Sequence, residues 1–160
     1  MKKEYSARSD LEKLHSQWTK LTGFHRREEW SAAVVRAATA AEIATNIAIR
    51  SELKAQANLQ TSFVDALLKW ANGIDGKFGR LLVPLIAHDK RKKAKLASLK
   101  KLVIVVNDKR NAIVHRGEFC NQSEAEAIID LAKRVIEGLM ELYDPVFVLA
   151  DPKSTGKSSE

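Results

Sequence analysis

An all-α fold, an antiparallel helical bundle of four or five principal helices, is what this 160-residue sequence predicts, and three observations carry the prediction. The hydrophobic share is 45%, and only seven glycines and three prolines interrupt it, which favours long regular elements over many short ones joined by turns. Apolar residues recur at helical spacing along most of the chain. The one run of branched residues that could form a buried strand, Leu102 to Val106, has no partner strand elsewhere and therefore reads as helix. At this length one domain with a real core is expected, over residues 1–150, followed by a disordered tail at 151–160 that contains Pro, Gly, Lys and Ser.

Leu11, Leu14, Trp18 and Leu21 mark a first helix from about Asp10 to Leu21, begun by the capping box of Ser9 and Glu12 and stopped by Thr22-Gly23. From Glu28 to about Leu53 neither Gly nor Pro occurs, and eight alanines accompany Trp30, Val34, Val35, Ile43, Ile47 and Ile49. Small residues on so many sides suit a helix at the centre of a bundle or at a dimer contact. Glu42, Asn46 and Arg50 form one polar stripe on it; the plain account is a solvated face with an intrahelical pair, the sharper one that Glu42 looks into a site cavity. Thr61 or Ser62 can cap a third helix bearing Phe63, Ala66, Leu67 and Trp70. Gly73 to Gly76 reads as a turn, since no strand precedes the glycines and no Gly-Lys-Ser/Thr follows them. A helical segment with Phe78, Leu81, Leu82, Leu85 and Ile86 comes next, limited or kinked by Pro84. Asp89 can cap a long helix reaching toward Gly117, with Leu102, Val106 and Ile113 toward a core and Ile104, Asn107, Asn111 and His115 on another surface. After a turn, Ser123 and Glu126 make a second capping box for a last helix, which Asp144-Pro145 ends, and 146–150 can pack back on the bundle.

The formal charge of +7 is unevenly placed. Lys90, Arg91, Lys92, Lys93, Lys95, Lys100 and Lys101 occur within one stretch without an acid, so the other 20 basic residues balance the 20 acidic ones. Such a block attracts phosphate by charge alone; its plainer reading is a solvated helix face. No apolar run is expected to span a bilayer and the start of the chain is polar, so a cytoplasmic protein with no membrane partner is expected. The single cysteine, Cys120, reads as a small filler after a turn, and His15, His25 and His88 lack any partner pattern.

Chemically capable side chains concentrate in Asn107 to Gly117, where Arg110, Asn111 and His115 supply a permanent cation, an amide and a group that exchanges a proton near neutral pH. Asn111 and His115 share a helix face, whereas Arg110 and His115 diverge by about 140° around a regular axis. Three geometries would bring them together. The helix could end near Val114 and turn at Gly117, the two side chains could reach into a groove from its two sides, or a second subunit could complete the groove.

The Arg-Asn-x-x-x-His pattern of Arg110 to His115, in a small helical chain and followed by Gly117, resembles the Arg-x(4 to 6)-His signature of the HEPN superfamily. The resemblance extends over most of Glu28 to Tyr143 through the long helix, the basic helix and the final helix. It implies a metal-independent endoribonuclease of the toxin, defence or RNA-processing kind, needing no cofactor. RNA would be its substrate, a homodimer its state with the motif near the interface, and an antitoxin or regulatory protein a further partner. Arg110 and His115 would be the catalytic pair and Asn111 an orienting residue. Cleavage through the RNA's own 2′-hydroxyl needs a proton acceptor or donor and a cation for the crowded phosphorane, and these residues fit those roles without a metal. Lys90, Arg91, Lys92, Lys93, Lys95, Lys109 and Arg116 would contact RNA, with Glu42 and Asn46 as auxiliary residues of the site. HEPN toxins paired with a minimal nucleotidyltransferase antitoxin commonly carry a tyrosine two positions after the histidine; Gly117 stands there, so regulation by transfer onto it is not implied.

Two rival readings use the same residues. Cations in the last turn of a helix stabilise its negative end, so Arg110 and His115 could belong to a purely structural bundle. Other HEPN domains are non-catalytic, so the chain could instead be a module that binds RNA or a protein.

Overall fold

The computed structural model describes residues 3–152, and the described residues are all helical or irregular, without strands. Helix α1 (Asp10–Arg26) begins at the expected capping box, with the Ser9 hydroxyl accepting from Glu12 N and the Glu12 carboxylate accepting from Ser9 N at 2.6 Å. It does not stop at Thr22-Gly23 but runs through Gly23 to Arg26. A glycine inside a helix costs only about 1 kcal/mol. The last turn is held by tertiary contacts, with Phe24 packed against the core and His25 Nε2 3.5 Å from Glu126 on the last helix. The reversal falls instead on Glu28, whose φ is 59°.

Helix α2 (Trp30–Gln56) is the central element, with Ala33, Ala37, Ala40, Ala41, Ala44 and Ala48 fully buried. Alanine packs without a long side chain to accommodate, so neighbours close in on several sides of this helix. By length and composition α2 is long and apolar enough to cross a membrane, contrary to expectation; 61% of that stretch is buried inside the bundle. Helix α3 (Thr61–Trp70) buries Val64 and Leu68 and turns Phe63 and Trp70 outward, and no side chain caps its start.

Gly73 is a turn residue at φ 76°, but helix resumes at once. Short α4 (Ile74–Gly76) passes into a π-helical turn, Lys77–Leu82, and then into α5 (Val83–Leu85). Pro84 explains the loosened register, because it has no N–H for the carbonyl four residues back and the Val83 N–H bonds Phe78 five residues back. At Gly76 an added Cβ would stand 2.7 Å from the Ala71 carbonyl oxygen. Gly76→Ala should therefore destabilise the chain by about 1 to 3 kcal/mol, the usual range for overpacking, and a urea titration checks it.

Helix α6 (Lys90–Arg116) starts where Asp89 caps the Lys92 N–H at 3.0 Å, and it ends at Gly117, whose φ of 66° glycine adopts without strain. Leu96, Leu99, Val103 and Val106 face the core, with Leu102 and Ile113 half-buried. Helix α7 (Gln122–Tyr143) begins two residues before the Ser123 box expected from sequence. Asn121 is the cap, accepting from Glu124 N at 2.9 Å while the Glu124 carboxylate accepts from Asn121 N at 3.0 Å. Beyond α7 the chain folds back, with Leu149 buried and the Trp18 indole donating to the Ala150 carbonyl at 2.7 Å. Of the tail expected to be disordered, residues 153–160 lie outside the described residues.

Side-chain pairs fix the helix directions. Lys95 meets Glu141 and Lys109 meets Glu124, so α6 and α7 are antiparallel. Asp10 meets Arg50 and Gln17 meets Arg36, so α1 and α2 are antiparallel. By contrast Ser31 meets Cys120 at one end and Glu52 meets Tyr143 at the other, so α2 and α7 run parallel. The C-terminal half of α6 therefore lies against the middle of α2 and the glycine-bearing segment, where the cleft opens.

Candidate functional site

One open cleft of about 770 Å³ lies between α2, the Asn72 to Arg80 segment and α6. Its α6 wall carries Lys100, Ile104, Asn107, Asn111 and His115, a single helical stripe, together with Arg110. The α2 wall carries Ala38, Thr39 and Glu42, and the third wall is Gly73, Ile74, Asp75, Gly76, Gly79 and Arg80.

Arg110 and His115 meet without a bend. The helix stays regular past Val114 to Arg116, and the Arg110 guanidinium reaches toward its C-terminal end so that Nη1 stands 3.2 Å from His115 Nε2 and donates to Asn111 Oδ1 at 3.0 Å. The divergence of about 140° between the two Cα directions is spanned by the length of the arginine side chain. A guanidinium can only donate, so in the tautomer that makes this contact a hydrogen bond Nε2 is the acceptor. His115 is exposed, whereas Arg110 and Asn111 are half-buried. The trio thus joins a fixed cation, an amide that orients it and an accessible imidazole.

Glu42 lines this cleft and is bonded to the Nζ of Lys77 at 2.5 Å. No intrahelical pair forms along the Glu42 stripe, because Arg50 turns instead to Asp10 and Asp65, at 2.9 and 2.7 Å. Asn46 does not line the cleft; it is half-buried, and its Oδ1 has no hydrogen-bond partner.

The expected RNA-contacting residues are scattered. Lys92 is turned inward onto Glu52, whose side chain is 3% exposed, and its ammonium also lies over the Tyr143 ring at 5.0 Å. Lys95 pairs with Glu141, Lys109 with Glu124 and Arg116 with Glu118. Lys90, Arg91 and Lys93 are exposed, but they stand about 25 to 30 Å along the helix from Arg110 at 1.5 Å per residue. The cluster around Glu52 is structural in its chemistry. Burial works to raise the Glu52 carboxyl, yet hydrogen bonds from Lys92, Tyr143 and Gln56 outweigh it and hold the group below its ordinary value of 4.5. Burial and the same carboxylate push the Tyr143 phenol far above its ordinary value. Cys120 is buried, and burial likewise raises its thiol.

Of the cleft cations, Arg80 was not expected at all, and Lys100 was expected only as part of the phosphate-attracting basic block. Lys100 was legible, since it stands four residues before Ile104 on the stripe that ends at His115. For Arg80 the sequence offered no signal, because only the packing of the π-helical turn brings it opposite α6. Compared with protein-family models, with curated proteins and with solved structures, the chain finds no match.

Proposed function

We propose that the chain is a metal-independent endoribonuclease of the HEPN type, acting in the cytoplasm in a toxin, defence or RNA-processing role. The observation that supports it most directly is the approach of Arg110 Nη1 to His115 Nε2 at 3.2 Å on the wall of an open cleft. His115 takes the proton of an RNA 2′-hydroxyl as that oxygen attacks the adjacent phosphorus. The bond from phosphorus to the 5′-oxygen breaks, and a 2′,3′-cyclic phosphate and a 5′-hydroxyl result. Arg110 donates to the non-bridging oxygens, whose charge grows in the phosphorane, while Asn111 holds the guanidinium in place. In the homodimer implied by the family resemblance, a second, protonated histidine supplies the proton that the 5′-oxygen needs. The same resemblance gives an antitoxin or regulatory protein as the partner that restrains the activity.

The test is incubation of the purified protein with RNA in EDTA, followed by analysis of the product ends. Fragments ending in 2′,3′-cyclic phosphate are expected, as is growth arrest on expression that is relieved by Arg110→Ala or His115→Ala. Binding with steep salt dependence and no fragments would favour the non-catalytic RNA-binding module instead. Failure to bind RNA at low salt would leave a structural bundle.

A further inference from the structure

We propose that Arg80 and Lys100 are the phosphate clamp of this cleft, and that its ligand is a single strand at least about four nucleotides long. The proposal rests on the ribonuclease reading of the same cleft and names the residues that position the strand.

Charge pairing separates the basic residues of this protein into two kinds. Lys92, Lys95, Lys109 and Arg116 each face a carboxylate, and the buried Lys77 faces Glu42, so their charge is already answered within the fold. Arg80 and Lys100 are exposed, line the cleft, and have no ion pair among the described residues. A cation without a carboxylate is free to exchange its counterions for a phosphate, the step that supplies most of the affinity for nucleic acid. Lys90 and Lys93 are also exposed and unpaired, but they lie on a part of α6 remote from the cleft.

Spacing decides the size of the ligand. Lys100 stands about 15 Å along α6 from Arg110, at 1.5 Å per residue. That distance is roughly four steps of a stacked strand at about 3.4 Å each. A mononucleotide bound at Arg110 lies nearly three turns of α6 from Lys100. Arg80 comes from the facing wall, so the two cations grip a strand from both sides. The cleft of about 770 Å³ is open, so a strand can lie along it without being enclosed. Beside Arg80, Gly79 lines the cleft with backbone alone, and a Cβ there would meet nothing within 4 Å. That wall is open to a ribose or a base.

The test uses 2′-O-methyl oligouridylates, which cannot be cut through the 2′-oxygen, in lengths from one to twelve nucleotides, titrated into the full chain at several salt concentrations. Affinity is expected to rise steeply up to about four nucleotides and more slowly beyond. Arg80→Ala and Lys100→Ala should each weaken the twelve-nucleotide probe on the order of eightfold at about 50 mM salt and lower the salt slope by about 0.7. Arg80→Lys should restore most of the loss, and Lys90→Ala and Lys93→Ala should bind within twofold of the parent. Parental affinity and slope in the Arg80 and Lys100 variants, or a mononucleotide that binds as well as the twelve-nucleotide probe, would overturn the clamp even if the parent cuts RNA. A parent that binds with the expected length dependence and never cuts would overturn the ribonuclease reading and leave the clamp standing.

Discussion

His115→Ala is expected to lower the rate of RNA cleavage by about 10² to 10⁴, the range that a positioned acid or base contributes. The fold should survive, because His115 is exposed on the last turn of α6 and its recorded contact is with Arg110. A surface change of this kind shifts stability by about 0.5 kcal/mol or less, so the variant should unfold at the urea concentration of the parent. Arg110→Lys should fail to restore what Arg110→Ala loses. One Arg110 nitrogen serves both Asn111 and His115 from a side chain that lines the cleft, and an ammonium on a shorter stem cannot reproduce that planar fork. A variant lacking His115 that cut RNA as fast as the parent would end the catalytic reading.

Lys92→Ala is expected to destabilise the fold by about 3 kcal/mol, the lower end of what removing one partner of a buried ion pair costs. The lower end applies because Lys92 is itself about a quarter exposed, whereas Glu52 is buried and keeps only Tyr143 and Gln56 once the ammonium is gone. Urea unfolding measures the loss, and a double-mutant cycle with Glu52→Gln isolates the pair. The pH dependence has a definite sign. The Glu52 carboxyl in the fold lies below its ordinary value of 4.5, so the unfolded chain takes up the proton first as pH falls. The stabilisation is therefore complete above about pH 4.5 and is lost as pH drops through the lowered value in the fold, and the gap between parent and Lys92→Ala should close over the same window. A constant gap from pH 7 to pH 3 would count against this assignment. The result also bears on function, since loss of RNA binding in a Lys92 variant would reflect unfolding unless stability is measured beside it.

The helices were largely legible from the chain because their causes are local. The Ser9 box, the Asp89 cap, the Gly117 stop and the alanine content of α2 act over three or four residues, and each acts in the fold as those residues require. The errors arose where one signal outweighed another. Gly23 lies inside α1 because Phe24 packs on the core and His25 meets Glu126 beyond it, and the Asn121–Glu124 box begins α7 ahead of the Ser123 box.

The stripe of Ile104, Asn107, Asn111 and His115 was likewise determined by sequence, since helical periodicity alone puts those side chains on one surface. Which cations remain free was not. Lys92 and Lys95 belong to the most basic stretch of the chain, yet their carboxylates come from Glu52 and Glu141, 40 and 46 residues away. Arg80 faces the cleft through the π-helical turn that Pro84 imposes, and Arg110 reaches His115 through the length of its side chain. Charge and spacing are properties of the sequence, whereas pairing and opposition depend on which helices lie side by side, and long-range packing decides that.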